Sequence, residues 1–226
     1  MLGLLVAAAA ATTCPPISVA AQLPVRPHGV VLRGDVDGDR VPDVASVRLA
    51  GAARMTCGFF LVVRSRRTSL AVRLPEFYKP PNDWSSAEFA RTFDEPYLMA
   101  LVAVARRGLG ILVARSHGAS TTEATLFVVR RHRLVSLRWL ELGGSVGTAV
   151  QQVDCVGRRT GLLVFTSVEM WRWAFRREVD RLEGTRLRRL RARDFAVRAE
   201  RGERLARRWV AGPPFASCTA VRGRAY

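Results

Sequence analysis

Lysine is almost absent from this chain of 226 residues, since Lys79 is the only lysine among 36 basic residues. The chain carries a formal net charge of +17, which would normally indicate a nucleic-acid or anionic-surface partner. Arginine, alanine, glycine and valine are all abundant, as in proteins from GC-rich genomes, and the arginines are spread over strand-like segments. We therefore interpret the charge as a solvated basic surface, with attraction to an anionic polymer or lipid headgroups as the alternative. No specific nucleic-acid partner is predicted.

Histidine is scarce, and familiar catalytic motifs are missing. The three histidines are His28, His117 and His132. None stands in a metal-ligand spacing with cysteine or carboxylate. The chain has no P-loop, no Gly-x-Gly-x-x-Gly and no nucleophile elbow. The residue types of a catalytic triad are present in Ser116 or Ser120, His117 and Asp154. The sequence does not establish a triad, because triads are defined by geometry. We predict no catalytic residue and keep an exported hydrolase or lyase acting on envelope polymer as the alternative.

No apolar run is long enough to cross a membrane. Leu2–Ala11 is apolar but too short to span a bilayer. The first charged side chain is Arg26, and small residues stand around Ala21, as at a signal-peptidase site, although a basic n-region is missing. We predict a leader over residues 1–21, a single domain over residues 22–226, a secreted or extracytoplasmic location and no integral membrane span. Lipidation at Cys14 is the alternative.

Cysteine is also sparse, with Cys14, Cys57, Cys155 and Cys218. An exported compartment permits disulfides, and three cysteines outside the leader leave one unpaired. We predict a Cys155–Cys218 disulfide that ties the C-terminal segment to the body of the fold. Cys57 is interpreted as a buried small hydrophobe.

Four of the 19 acidic residues fall in one short stretch, Gly34–Val47, with the sequence GDVDGDRVPDVASV. Asp35, Asp37, Asp39 and Asp43 fall within nine residues, and their carboxylates converge only if the chain coils tightly. Carboxylates held that close repel one another where the dielectric constant is reduced. Calcium removes this repulsion, because it takes six to eight oxygen ligands in flexible geometry.

An EF-hand is excluded by two positions of this stretch. That loop needs glycine at its sixth position and glutamate at its twelfth, where this chain has Arg40 and Ser46. The following segment, residues 44–49, has the composition of a β-strand rather than a helix.

The spacing D-x-D-G-D-x-x-x-D before a strand resembles the FG-GAP/VCBS repeat, the calcium-binding hairpin loop of integrin-type β-propeller blades. Pro42 fits this pattern, whereas Arg40 stands where the family usually has glycine. The resemblance covers about fifteen residues and implies a calcium site. Its implied ligands are the side chains of Asp35, Asp37, Asp39 and Asp43 and the backbone carbonyl of Val41.

The rest of the chain repeats a loop, a buried strand and a hairpin. This unit follows Asp35, recurs over Leu109–Leu140 and recurs again after Asp154. When Asp35 is aligned with Asp154, Gly38 meets Gly157, but the other acidic positions are lost. Three or four units of about 40–50 residues match blade-sized repeats, and a closed propeller needs about four blades.

We therefore predict an all-β fold of antiparallel, blade-like repeats in a partial or small β-propeller-like arrangement, with a β-sandwich as the alternative. Trp171, Trp173 and Phe175 alternate as in a strand, and a helix within Arg177–Arg208 is the competing interpretation, which Gly184 and Gly202 disfavour. The expected function is non-enzymatic binding or adhesion at the cell envelope, to a protein or polysaccharide ligand.

Overall fold

We describe the protein from a computed structural model. The structure describes Gln22 and residues 30–49, 59–74, 96–117, 121–142, 149–210 and 213–223. The predicted leader, Cys14, Cys57 and His28 lie outside these ranges. The strands are β1 (Val31–Gly34), β2 (Asp43–Leu49), β3 (Phe59–Arg64), β4 (Ser69–Arg73), β5 (Tyr97–Val102), β6 (Gly110–His117), β7 (Thr121–Arg130), β8 (Arg133–Leu142), β9 (Ala149–Cys155), β10 (Leu162–Glu169), β11 (Ala174–Glu183), β12 (Arg186–Ala196) and β13 (Thr219–Arg222), and helix α1 is Ala199–Trp209.

The strands follow one another as antiparallel neighbours in three successive units of four. Strands β1 to β4 form a separate four-stranded sheet, which we call the first unit. The second unit, β5 to β8, and the third unit, β9 to β12, belong to one nine-stranded sheet, in which β13 pairs with β5. The second and third units are joined by a single parallel pairing, Leu142 opposite Gln151. Each unit contains the predicted sequence of a loop, a buried strand and a hairpin.

Two hairpins join consecutive strands of the first and second units. Strands β3 and β4 pair from Phe60 opposite Arg73 to Arg64 opposite Ser69, and β7 and β8 pair over most of their length. The strand β5 is buried at all six positions, because both of its faces are covered. The hairpins expected in the unit after Asp35 and within Leu109–Leu140 are therefore confirmed.

The core lies between the two sheets. A single cluster of buried side chains contains Leu32 and Leu61 of the first unit, Ile111 and Phe127 of the second, and Leu163 of the third. Each fully buried large aliphatic or aromatic side chain stabilises the fold by about 1.5–3 kcal/mol relative to its exposed state. The shared core therefore holds the three units together.

The C-terminal segment is fixed to the third unit, as predicted. Cys155 and Cys218 form a disulfide with a Cα–Cα distance of 5.9 Å. The amide N–H of Phe215 donates to the carbonyl of Val153 at 2.8 Å, and the buried Phe215 side chain joins the core. Because β13 then pairs with β5, the disulfide links the third unit to the second.

Two expectations about local structure are wrong. One is the strand through Trp171, Trp173 and Phe175, and the other is that Gly202 disfavours a helix at the end of Arg177–Arg208. Trp171 and Trp173 lie in the turn between β10 and β11, not in a strand, and only Phe175 lies in β11. Trp173 has a left-handed φ of 49° and packs against Gly202 of α1, where a Cβ atom would lie 2.4 Å from the indole ring. The helix α1 thus uses Gly202 for close contact, and this tertiary packing overrides the low helix propensity of glycine.

Ser116 and His117, two of the residues considered for a catalytic triad, lie in a strand. Ser116 and His117 are the last residues of β6 and pair with Thr122 and Thr121 of β7. Residues 118–120 lie outside the described ranges.

The fold is all-β with one short helix, as expected from the sequence, and its strands pair antiparallel except for the β8–β9 contact. Among the described strands both sheets are open, since β4 and β12 each have a neighbour on one side only. Within the described residues, no helix is long and apolar enough to cross a membrane.

Candidate metal centre

The equivalent loops of the three units meet at one end of the molecule. These loops are residues 35–42, 103–109 and 156–161. The N–H of Leu109 donates to the carbonyl of Asp35 at 2.8 Å, and the N–H of Arg159 donates to the carbonyl of Ala103 at 2.7 Å. In an antiparallel meander, alternate connections lie at the same end, so the β3–β4 and β7–β8 turns lie there too. We call this region the loop end.

The first of these loops is coiled by its own aspartates. Oδ1 of Asp35 accepts the N–H of Gly38 at 2.8 Å. Oδ1 of Asp37 accepts the N–H of Asp39 at 3.1 Å, and Oδ1 of Asp39 accepts the N–H of Val41 at 2.7 Å. Such side-chain-to-backbone bonds are the reason that aspartate favours tight turns. They curl the chain so that its carboxylates face a common point.

Three of the predicted ligands are brought together. One carboxylate oxygen from each of Asp35, Asp37 and Asp39 lies within 4.8 Å of the other two. Two unit charges at such a distance repel by about 1 kcal/mol in water and by several times more at a lower effective dielectric. Within the described part of the chain, no ion pair involves these three carboxylates. Arg106, Arg107 and Arg159 line the same depression as Asp35 and Asp39, but none of them is within ion-pair distance of these carboxylates.

Asp43 lies apart from this group and is almost fully buried, with 1% of its surface exposed. Its Oδ2 accepts the N–H groups of Val36 at 2.8 Å and Asp37 at 3.1 Å. Its Oδ1 is buried and has no hydrogen-bond partner among the residues that the structure describes. Burial raises the pKa of Asp43, an effect that outweighs these two hydrogen bonds, and the charges of Asp37 and Asp39 raise it further.

The donor set fits a hard divalent cation. Calcium binds carboxylate and carbonyl oxygens, and this loop offers four carboxylates, of which three converge. A buried carboxylate oxygen without a partner is costly, so the unpartnered Oδ1 of Asp43 also favours a cation at this end of β2. A bound ion would supply charge compensation, while the loop residues would orient the ends of β1 and β2.

The backbone supports the alignment of the first and third loops. Gly38 and Gly157 have left-handed φ values of 90° and 75°. Two residues further on, Arg40 and Arg159 are also left-handed, at 72° and 59°. Glycine adopts this conformation without steric cost, which gives a physical reason for glycine at position 40 in the loops that this one resembles.

Asp154, the acidic residue aligned with Asp35, lies near the end of β9 and has a different role. Its Oδ1 accepts the N–H of Ser217 at 3.0 Å, the hydroxyl of Ser217 at 2.6 Å and the N–H of Cys155 at 2.9 Å. This carboxylate holds the segment beside the disulfide. The sequence motif did not indicate that contact, because Ser217 is 63 residues away.

A second polar cluster was missed at the sequence level. Glu178 and Asp180 are buried on β11, with 4% and 3% of their surfaces exposed. Arg138 contacts both carboxylates, at 3.3 Å and 3.2 Å, and Arg176 and Arg189 contact Glu178 at 2.6 Å and 3.0 Å. The signal was the alternation Arg176-x-Glu178-x-Asp180, which places all three side chains on one face of a strand.

The pKa values of the two carboxyl groups move in opposite directions. Burial raises the pKa of Glu178, but the hydrogen bond from Arg176 and the charges of Arg189 and Arg138 outweigh it, so the net pKa is lowered. For Asp180, burial dominates and raises the pKa despite Arg138. The cluster is thus a buried ion-pair network in which Glu178 is the better compensated member.

Comparisons with family models, with curated proteins and with solved structures found no match to the chain. The resemblance to the FG-GAP/VCBS repeat therefore stays a prediction that depends on the loop at Asp35–Asp43.

Proposed function

We propose that this chain is an exported, calcium-stabilised β-repeat protein of the FG-GAP/VCBS type, with a binding or adhesion role at the cell envelope and no enzymatic activity. The observation that carries the proposal is the convergence of the Asp35, Asp37 and Asp39 carboxylates within 4.8 Å. The coiled loop joins β1 to β2 and also contacts the second unit through the Asp35–Leu109 hydrogen bond. A calcium ion there would stabilise the contact between two units.

The supporting argument is one of charge compensation and mass action. A cation that binds the folded loop but not the unfolded chain stabilises the fold by about 2.7 kcal/mol at a hundredfold excess over its dissociation constant. For a domain of this size, that corresponds to a shift in the unfolding midpoint of about 5–10 °C. The Cys155–Cys218 disulfide agrees with export, because disulfides persist in oxidising compartments, and the predicted leader implies the same location.

The experiment is thermal unfolding in calcium and in EGTA. We expect a higher midpoint in calcium for the native sequence and no calcium-dependent shift for Asp37→Asn. Asp194→Asn is the matched control, since Asp194 lies on β12 and 68% of its side chain is exposed. An equal calcium shift in the native chain and in Asp37→Asn would refute the proposed site.

The alternative function, an exported hydrolase or lyase acting on envelope polymer, stays a prediction. Its residues were Ser116 or Ser120 with His117, and Asp154, whose carboxylate is bonded to Ser217. A screen on cell-wall and polysaccharide substrates, repeated with His117→Ala and Ser120→Ala, tests it. Activity that both substitutions abolish would favour the enzyme over the binding protein.

A further inference from the structure

A large groove at the loop end is formed jointly by the three units. It has a volume of about 1190 Å³. The first unit contributes Asp37 and the β3–β4 turn with Arg67, the second contributes Arg107 and the β7–β8 turn, and the third contributes Arg181. Each unit alone supplies only part of this surface, so the groove exists because the equivalent loops and turns meet.

The groove is strongly basic. Its lining includes seven arginines and two aspartates, a net charge of +5 with His132 neutral. One arginine, Arg130, donates to the carbonyls of Gly184 and Val129. The others have no ion pair with any residue that the structure describes, and they are Arg67, Arg106, Arg107, Arg131, Arg159 and Arg181.

This arrangement differs from that of several arginines outside the groove, which have carboxylate partners. Arg138 of β8 and Arg189 of β12 contact Glu178, and Arg188 of β12 contacts Glu183. The six groove arginines lie together without such partners among the described residues. These arginines form a concave, positively charged surface. Binding of a polyanion would reduce the electrostatic repulsion among them.

The chemistry of the lining favours one class of anion. Among the described residues that line the groove there is no phenylalanine, tyrosine or tryptophan, whereas binding of single-stranded nucleic acid depends on aromatic side chains that stack with bases. Arginine presents a planar fork of donors that matches phosphate oxygens. A net charge of +5 in one groove is best matched by a chain with at least one charge per backbone unit.

We propose that this groove binds a flexible polymer that carries a phosphate in each repeating unit and no bases. The polymer lies across the loop end and contacts arginines of all three units. This inference rests on the binding function proposed above and names the ligand class. Binding of the polymer does not require calcium, so its test is made in EGTA. A failure of polymer binding can therefore be told apart from a failure of the proposed calcium site.

The test measures binding of fluorescently labelled linear polyphosphate to the purified protein, by anisotropy, between about 0.05 and 0.3 M salt. The variant is Arg67→Gln with Arg107→Gln and Arg181→Gln, one exposed arginine from each unit. We expect the affinity near 0.15 M salt to fall on the order of tenfold or more, and the salt slope to decrease by about 2, or about 0.7 per lost contact.

The matched control removes the same charge elsewhere. Arg201→Gln, Arg204→Gln and Arg207→Gln change three exposed arginines of α1 that do not line the groove. This variant should bind polyphosphate within about twofold of the native affinity, since only long-range attraction is lost. Equal losses in the two variants would mean that net charge, not the groove, binds the polymer, and would overturn the proposal.

Two further probes define the ligand chemistry. Oligo-dT of equal charge and polygalacturonate should each bind at least about tenfold more weakly than polyphosphate, since one carries bases and the other has carboxylates at lower charge density. Equal or tighter binding of either would overturn the assignment to phosphate polymers. The thermal unfolding midpoints of both triple variants should equal that of the native chain. Equal midpoints show that the binding assays compare folded proteins.

Discussion

The N–H of Leu109 donates a hydrogen bond of 2.8 Å to the carbonyl oxygen of Asp35. This bond joins the acidic loop of the first unit to the equivalent loop of the second unit. The adjacent Gly108 has a left-handed φ of 72°, and a Cβ atom at this position would lie 2.4 Å from the carbonyl oxygen of Val36. The candidate metal loop and the second unit are therefore in direct backbone contact.

The first prediction follows from that contact. We expect Gly108→Ala to destabilise the fold by about 2–4 kcal/mol, because the methyl group collides with a backbone atom and the conformation is unfavourable for alanine. The same change should weaken calcium binding, since Val36 lies inside the loop. Chemical denaturation and calcium titration measure the two effects.

Gly184→Ala is the matched control for this substitution. Gly184 is also left-handed, with φ of 61°, but nothing lies within 4 Å of the position that its Cβ would take. It should cost only about 1 kcal/mol, from backbone conformation alone. Equal losses at the two glycines would contradict a specific contact between the loops.

The second prediction concerns the disulfide. It closes a loop with a sequence separation of 63, for which chain entropy gives a stabilisation of about 4 kcal/mol. Cys155→Ala together with Cys218→Ala should therefore lower the free energy of unfolding by about this amount. In a reducing agent the native chain should lose most of its advantage over the double variant, and a difference that persists there would assign the effect to packing of the buried Cys218 instead.

The third prediction uses the opposite pKa directions of the buried carboxyl groups. A lowered pKa means that Glu178 stabilises the fold above its unfolded pKa near 4.5, and that this contribution is lost as the pH falls through the lower folded value. Glu178→Gln should cost about 2 kcal/mol at neutral pH, because hydrogen bonds to charged groups are lost. The cost should shrink below pH 4.5, as measured by urea denaturation across pH.

Asp180→Asn is the control, because its effect on stability should change with pH in the opposite direction. Its pKa is raised from 3.8, so its contribution is present below the unfolded pKa and is lost as the pH rises through the folded value. Asp180→Asn should therefore become less destabilising as the pH increases. Parallel pH profiles for the two substitutions would contradict the assigned charge states.

The fourth prediction is that the effect of Asp43→Asn on the stability of the fold differs in sign between EGTA and calcium. Without calcium, this carboxylate is buried with one oxygen lacking a partner, so Asp43→Asn should be neutral or slightly stabilising in EGTA. The asparagine oxygen still accepts the N–H groups of Val36 and Asp37. In calcium the same substitution should be destabilising, because the native carboxylate is then compensated. The unfolding midpoint measured in both buffers tests this, and a substitution that is equally harmful in both would exclude a cation near Asp43.

The hairpins and the acidic loop were predictable because their signals are local. The composition of the strands within Leu109–Leu140 and the spacing of Asp35, Asp37 and Asp39 depend on near neighbours in the chain. The alignment of Gly38 with Gly157 was also recoverable, since left-handed positions favour glycine.

Other features depend on contacts between distant segments. The turn at Trp173 and the helix around Gly202 stabilise each other, and neither is visible without the other. Asp154 matched the position of a calcium ligand, but its carboxylate accepts a hydrogen bond from Ser217. The groove depends on tertiary contacts that bring Arg67 and Arg181 together at the loop end. The Cys155–Cys218 pairing was predicted because few cysteines leave few alternatives.

The most direct measurement is isothermal titration calorimetry of calcium into the EGTA-treated and dialysed protein, with Asp37→Asn in parallel. The account predicts saturable binding of one ion per chain, which the substitution abolishes, because the carboxylates of Asp35, Asp37 and Asp39 converge on one point. No binding by the native chain, or equal binding by Asp37→Asn, would contradict it.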